Sequence, residues 1–200
     1  MKQTLIVAGM PRSGTTCLFR SLAGLPPSSI SPKGKLRDSL PMVKTHGLAP
    51  PDSFGFPGAP KEALIKEVLW KNQGRALFVF GDPVLSVLST IKNRFEKNHF
   101  RNCGCREPVA NVDLLEKDWL NYELMFDSWY QYHLFPTICI KYETMWLHQR
   151  TIAEFTGIKF KLPEYKPRKT KCSKPDKVKV ERTYSSLIEK YKAAHELTVF

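Results

Sequence analysis

Leu5-Ile6-Val7-Ala8-Gly9-Met10-Pro11-Arg12-Ser13-Gly14-Thr15-Thr16-Cys17-Leu18-Phe19-Arg20 is the stretch that decides the architecture. It opens on an unbroken apolar run, Leu5 to Ala8, of the length and composition of a buried strand. A loop holding Gly9 and Gly14 follows, and then a segment that reads as a helix. Strand, glycine-bounded loop and helix N-terminus in that order make an anion cradle. Loop N–H groups and the unpaired N–H groups of the first helical turn converge there, and the helix dipole favours negative charge. The spacing of Gly9, Gly14 and Thr16 fits the phosphate-loop pattern G-x-x-x-x-G-K-[ST], but Thr15 stands where the lysine belongs. In phosphate-loop kinases that lysine reaches the β/γ-phosphates. Here the cation is Arg12, inside the loop, which suits a smaller phosphate-bearing donor better than a triphosphate.

Outward from this loop, short apolar strands alternate with helical patterns. Strands are expected at 4–9, 41–45, 76–81 and 137–142, and helices at 15–24, 60–72, 84–97, 112–133, 144–156 and 182–196. Val84, Leu88, Ile91 and Phe95 step by four, three and four along one helix face. Leu115, Trp119, Tyr122, Phe126 and Trp129 repeat those steps on a longer segment. Pro83 suits a helix start, with Asp82 as its cap, and Asn111 or Asp113 would cap the long helix. Gly157 marks a helix end. The pattern predicts an α/β fold: three layers of the P-loop type, a largely parallel central sheet flanked by helices. Loops rich in Pro and Gly occupy 25–34, 47–60 and 98–110.

The 200 residues suit a single domain, and 42% hydrophobic with 12% aromatic residues is the composition of a globular chain. No apolar run approaches membrane-spanning length, and the first strand follows Met1-Lys2-Gln3 directly, so the cytoplasm is the expected compartment, with no membrane partner. Five scattered cysteines (17, 103, 105, 139 and 172) do not read as a disulfide framework. Cys17 and Cys139 sit among apolar residues as buried thiols. His99-x-x-x-Cys103-x-Cys105 lacks an evident fourth zinc ligand and reads as part of an exposed loop. The net charge is +12, of which +7 lies in residues 159–182, with ten Lys/Arg against three Asp/Glu. Such a run reads either as a solvated face or as a surface that meets an anion.

Pro11-Arg12-Ser13-Gly14-Thr15-Thr16 resembles the 5′-phosphosulfate loop of the sulfotransferases that use 3′-phosphoadenosine 5′-phosphosulfate (PAPS), Pro-(Lys/Arg)-Ser-Gly-Thr-(Thr/Ser). Three more segments agree in order. Val43-Lys44-Thr45-His46 resembles the Lys-Thr-His element that carries the base in the cytosolic branch. Phe80-Gly81-Asp82-Pro83 with Ser89 resembles the 3′-phosphate element Arg-(Asp/Asn)-Pro…Ser, and Lys141-Tyr142-Glu143-Thr144-Met145 resembles the Tyr-Glu-Asp-(Met/Leu) strand end. Two departures stand out. The family's arginine before Asp-Pro is Gly81, and the segment between the loop and Lys44 is short.

The resemblance implies sulfuryl transfer from PAPS to a hydroxyl or amine acceptor, with PAP (adenosine 3′,5′-bisphosphate) as product and no metal. It implies Pro11, Arg12, Ser13, Gly14, Thr15 and Thr16 as the 5′-phosphate cradle, with Arg12 and Lys44 acting on the leaving oxygen. His46, with an ordinary pKa near ~6.5, is the candidate base. Asp52 and Glu62 are rival carboxylates. Ser89 is expected at the 3′-phosphate and Tyr142 at the adenosine. Arg168 and Lys169, within the basic segment 159–182, are expected to close over the nucleotide and to compensate for Gly81. Lys92 and Arg94 are further candidates for that charge. Phe54 and Phe56 would either line the acceptor pocket or tuck their loop against the body. His99, His133, His148 and His195 carry no motif and read as packing or surface residues. Two alternatives stay open: a P-loop nucleotide or small-molecule kinase, and a catalytically degenerate fold member that binds a nucleotide or nucleic acid. Under the first reading nucleic acid is not an expected partner.

Overall fold

Five strands form one sheet: β1 (Thr4–Gly9), β2 (Met42–Thr45), β3 (Gly74–Phe80), β4 (Thr137–Lys141) and β5 (Leu197–Val199). The spatial order is β2-β1-β3-β4-β5; β1 to β4 are parallel and β5 joins β4 antiparallel. The computed structural model describes residues 4–25, 42–46, 49, 74–95, 99–100, 103, 112–130, 136–168, 170 and 172–200. The expected helix 60–72, Asp52, Phe54, Phe56, Glu62, Asn111, Cys105, His133 and Lys169 lie outside them.

Side chains alternate across the strands and so build two cores. Ile6, Ala8, Phe78 and Phe80 point to one face, where they pack with Leu120, Phe126, Trp129, Val180, Tyr184 and Leu187. Leu5, Val7, Leu77 and Val79 point to the other, against Leu18, Phe19, Leu22, Ile152 and Leu162. Trp129, about 1% exposed, stacks on Phe78 with ring centres 6.0 Å apart. This geometry adds roughly 0.5–1.5 kcal/mol beyond burial alone. Helices thus cover both faces, giving the three-layer α/β arrangement.

The flanking helices are α1 (Thr15–Ala23), α2 (Pro83–Lys92), α3 (Tyr122–Tyr130), α4 (Gln149–Thr156), α5 (Lys174–Thr183) and α6 (Ser185–Ala193). Local chemistry sets their ends. Asp82 Oδ1 accepts from Leu85 N at 3.0 Å, with Pro83 in the first turn, so α2 starts where its cap and proline dictate. Gly157, at φ 69°, closes α4.

Four expected helices come out differently. The 112–133 helix begins only at Tyr122. Asp113 Oδ1 takes Leu115 N into a local turn at 2.8 Å, Asn121 adopts φ 53°, and Asp118 Oδ2 caps Glu123 N at 3.0 Å. Two side chains and one left-handed residue thus interrupt the helical ladder that the apolar spacing suggests. The 84–97 helix ends at Lys92, with Arg94 at φ 53° in the turn that follows. At the front of the expected 144–156 helix a 3-10 turn, Tyr142–Thr144, ends, and α4 starts only at Gln149. The expected 182–196 helix is the end of one helix and the whole of the next, with a strand just beyond it. Ser173 Oγ caps Asp176 N at 3.1 Å to start α5, Tyr184 breaks α5 from α6, and Leu197–Val199 adds the fifth strand.

Candidate functional site

The parallel register brings the carboxyl ends of β1, β2, β3 and β4 to one edge, the edge where ligands sit in open parallel sheets. Ala8 lies beside Thr45, Gly9 beside Val79, and Phe80 beside Lys141. The segments that follow these strands (10–16, His46, 81–89 and 142–145) therefore meet.

The loop after β1 is held from below. Ser13, fully buried, has its hydroxyl within 2.6 Å of Met10 O and 2.7 Å of Val79 O, and its N–H donates to Met10 O at 3.1 Å. The buried Thr15 hydroxyl lies 3.3 Å from Ser13 Oγ. Ser13 and Thr15 thus shape the cradle with their side chains. Tyr122, fully buried, reaches the same loop at Pro11 O and shares a 3.0 Å hydrogen bond with Thr90. Gly14, at φ 87°, precedes α1, and a Cβ there would collide with the Tyr142 ring. Only glycine combines that backbone with that neighbour.

Arg12, at φ 64°, is exposed. Its Nε donates to Ser89 Oγ at 3.0 Å, and its guanidinium stands 5.2 Å from the Phe95 ring centre. Its terminal nitrogens hydrogen-bond to no described residue and remain available to an oxyanion. Lys44 Nζ donates to Thr16 Oγ1 at 2.6 Å, which brings a second cation to the first turn of α1.

His46 is about 8% exposed and donates from Nδ1 to Gly9 O at 2.6 Å. A carbonyl accepts only from a protonated ring nitrogen, so this bond fixes the tautomer and leaves the basic lone pair on Nε2. His99 faces it edge-on, with ring centres 5.5 Å apart and planes at 82°. Burial, and then the charges of Arg12 and Lys44, hold the His99 imidazole well below its ordinary range, at about 4.

Arg168 arrives from the far end of the chain. The segment carrying it is pinned by Leu162 N to Gln149 Oε1 at 2.9 Å and by Trp146 Nε1 to Pro163 O at 2.6 Å. Its guanidinium lies 4.4 Å from the Tyr142 ring centre and donates to Arg12 O at 2.7 Å, to Ser86 Oγ at 3.2 Å, and to Glu143. Glu143 organises the corner, for it also accepts from Asp82 N at 3.2 Å and from Tyr191 OH at 3.1 Å. A Cβ built on Gly81 would collide with the Arg168 guanidinium. The guanidinium of residue 168 thus fills the space that a side chain at position 81 would take.

Pro11, Arg12, Ser13, Gly14, Thr15, Thr16, Lys44, His46, Ser89, Tyr142 and Arg168 all come to this edge. Lys92 and Arg94 are exposed residues at and just beyond the C-terminal end of α2, and Lys174, Lys177 and Lys179 are exposed on α5. Within the described part of the basic run, Arg168 alone is seen to reach the loop. Cys139 is fully buried, and burial pushes its thiol pKa up; Cys17 is half-buried and shifts the same way. Cys103 is buried as well, against the expectation of an exposed loop there. No group of three or more His, Cys, Asp or Glu among the described residues is placed to hold a metal ion.

Sequence reading missed Glu143 as an organiser and His99 as a neighbour of His46. A signal for His99 existed: it follows Phe95 by four, and its N–H bonds back to Phe95 O at 2.9 Å, which carries the α2 face onward to the edge. No helix among the described residues is long and apolar enough to cross a membrane. No model of a known protein family and no curated protein matches the chain.

Proposed function

We propose that this chain is a sulfotransferase that moves a sulfuryl group from PAPS to a hydroxyl or amine acceptor, acting in the cytoplasm. The observation that carries the reading is one edge holding two cations on an anion cradle, Arg12 and Lys44, beside an imidazole of fixed tautomer, His46. The residues present fit the donor. Arg168 Nε is buried without a hydrogen-bond partner among the described residues, and a buried guanidinium N–H calls for an acceptor such as a 3′-phosphate oxygen. Ser89, Ser86 and Arg168 together form that corner. Tyr142, packed on Gly14 and Arg168, is proposed to bound the adenosine.

PAPS supplies the sulfuryl group, and the chain supplies position and charge. The first-turn amides of α1 and the Arg12 guanidinium hold the 5′-phosphate. His46 Nε2 takes the acceptor's proton as the acceptor oxygen or nitrogen bonds to sulfur and the bond from sulfur to the bridging oxygen breaks. Arg12 and Lys44 neutralise the electron pair that this oxygen keeps, a role worth several kcal/mol when the cations are already in place (~2.7–4 kcal/mol for one donor).

Thermal shift with three nucleotides tests this. PAP without Mg²⁺ should stabilise the chain by about 2.7 kcal/mol at a concentration 100 times its Kd. Stabilisation by Mg·ATP alone would favour a kinase. Steeply salt-dependent binding of DNA or RNA with no response to PAP would favour the degenerate binder.

A further inference from the structure

We infer that His99 binds the acceptor, and that the acceptor carries a second hydroxyl on the carbon next to the one that is sulfated. This rests on the sulfotransferase reading and narrows it from any hydroxyl or amine to vicinal diols. Three observations meet at the residue. Both His99 ring nitrogens are buried and have no hydrogen-bond partner among the described residues. The ring stands edge-on to His46, 5.5 Å away between centres, and edge-on to Phe95 at 5.9 Å. Arg12 and Lys44 are close enough to act electrostatically on it. It therefore belongs to the same edge as the proposed base and the cations on the leaving oxygen.

A buried imidazole with neither nitrogen satisfied is costly, and native proteins rarely keep one without a purpose. Burial first, and then the two cations beside it, keep it uncharged at neutral pH. A neutral imidazole offers one N–H donor and one lone pair, the complement of a hydroxyl, which both gives and takes. Hydroxyls on neighbouring carbons lie within ordinary hydrogen-bond distance of each other, about 2.8 Å. Two such hydroxyls can be shared between two adjacent imidazoles, one hydroxyl to each ring. His46 then takes the proton of one hydroxyl while His99 fixes the other, which orients the nucleophile toward sulfur. A lone alcohol or phenol gains only the first contact and leaves His99 unsatisfied.

Matched probes test this: trans-1,2-cyclohexanediol against cyclohexanol, and catechol against phenol. PAP release from PAPS is measured for the unaltered chain, His99→Ala and His99→Asn, with PAP affinity by calorimetry alongside. The inference expects at least one diol to exceed its mono-ol in kcat/KM by about tenfold, the worth of one good hydrogen bond. It expects that preference to vanish in His99→Ala, through KM, and to return in part in His99→Asn, with PAP affinity unchanged throughout. The pair that responds tells whether the diol is sugar-like or aromatic. Equal treatment of diol and mono-ol by the unaltered chain overturns the inference, as does an equal loss for both in His99→Ala. If no probe turns over, the imidazole ¹⁵N resonances of the PAP-loaded chain decide: a His99 shift with a diol and none with its mono-ol supports the inference, and no shift overturns it. An unaltered chain that does not bind PAP overturns the sulfotransferase reading and this inference together. PAP binding without diol preference overturns the His99 assignment alone.

Discussion

On one side of the sheet edge, the side proposed to hold the nucleotide, Arg12, Ser89, Ser86, Glu143 and Arg168 are knitted together by hydrogen bonds. Beside His46, His99 keeps two buried nitrogens with no partner among the described residues. Under the proposed function, the contrast separates a preassembled anion cradle from a group whose hydrogen bonds the acceptor would complete. Charge must be fixed before a phosphate arrives, because reorganising dipoles during the reaction forfeits most of their effect. Acceptor recognition has no such constraint, since the acceptor can bring the missing hydrogen bonds itself.

If the two sides differ in this way, variants should sort by which side they touch. His46→Ala should lower turnover by about 10²–10⁴-fold while PAP affinity, read by calorimetry, stays within about twofold. A rate near that of the unaltered chain would remove His46 as the base. Arg12→Ala should weaken PAP binding by roughly 10–100-fold, the range for a lost charge-assisted hydrogen bond, and turnover should fall with it. Arg168→Ala should weaken PAP by about tenfold yet leave adenosine 5′-phosphate unaffected, because the latter has no 3′-phosphate. Adding Gly81→Arg to that variant should restore part of the loss; equal losses for both nucleotides would return Arg168 to a purely structural role.

The smallest effect is on stability. The folded His99 stays neutral down to about 4, whereas an unfolded histidine takes up its proton near 6.5. Between those values the unfolded chain binds more protons, so stability should fall as pH drops through that window. His99→Gln should flatten the slope of the urea midpoint between pH 7 and 5, and an unchanged slope would place His99 in contact with solvent.

Much of this arrangement is legible in residues 5–16, because a buried strand, two glycines and a helix start leave the chain few options. The four parallel strands and the Asp82-Pro83 cap follow from local pattern in the same way. The helix expected at 112–133 fails at its front half because Asp113 and Asp118 bond locally and Asn121 turns left-handed, and apolar spacing is blind to that competition. Glu143 and Arg168 are 25 positions apart and meet only through the packing of residues 158–168 on α4. No periodicity encodes that meeting. His99 lay hidden for another reason: it lines the edge from beyond the end of α2, and its significance depends on the imidazole beside it.

Gly81 and Arg168 are sterically coupled: the space a side chain would need at 81 is filled by a guanidinium from position 168. A change at either is to be judged with the other in view: a larger residue at 81 evicts the incoming arginine, and loss of that arginine leaves room for its replacement. Under the proposed function, a motif search that demands a cation at 81 would score the site as broken, although a guanidinium stands beside that position from another part of the chain.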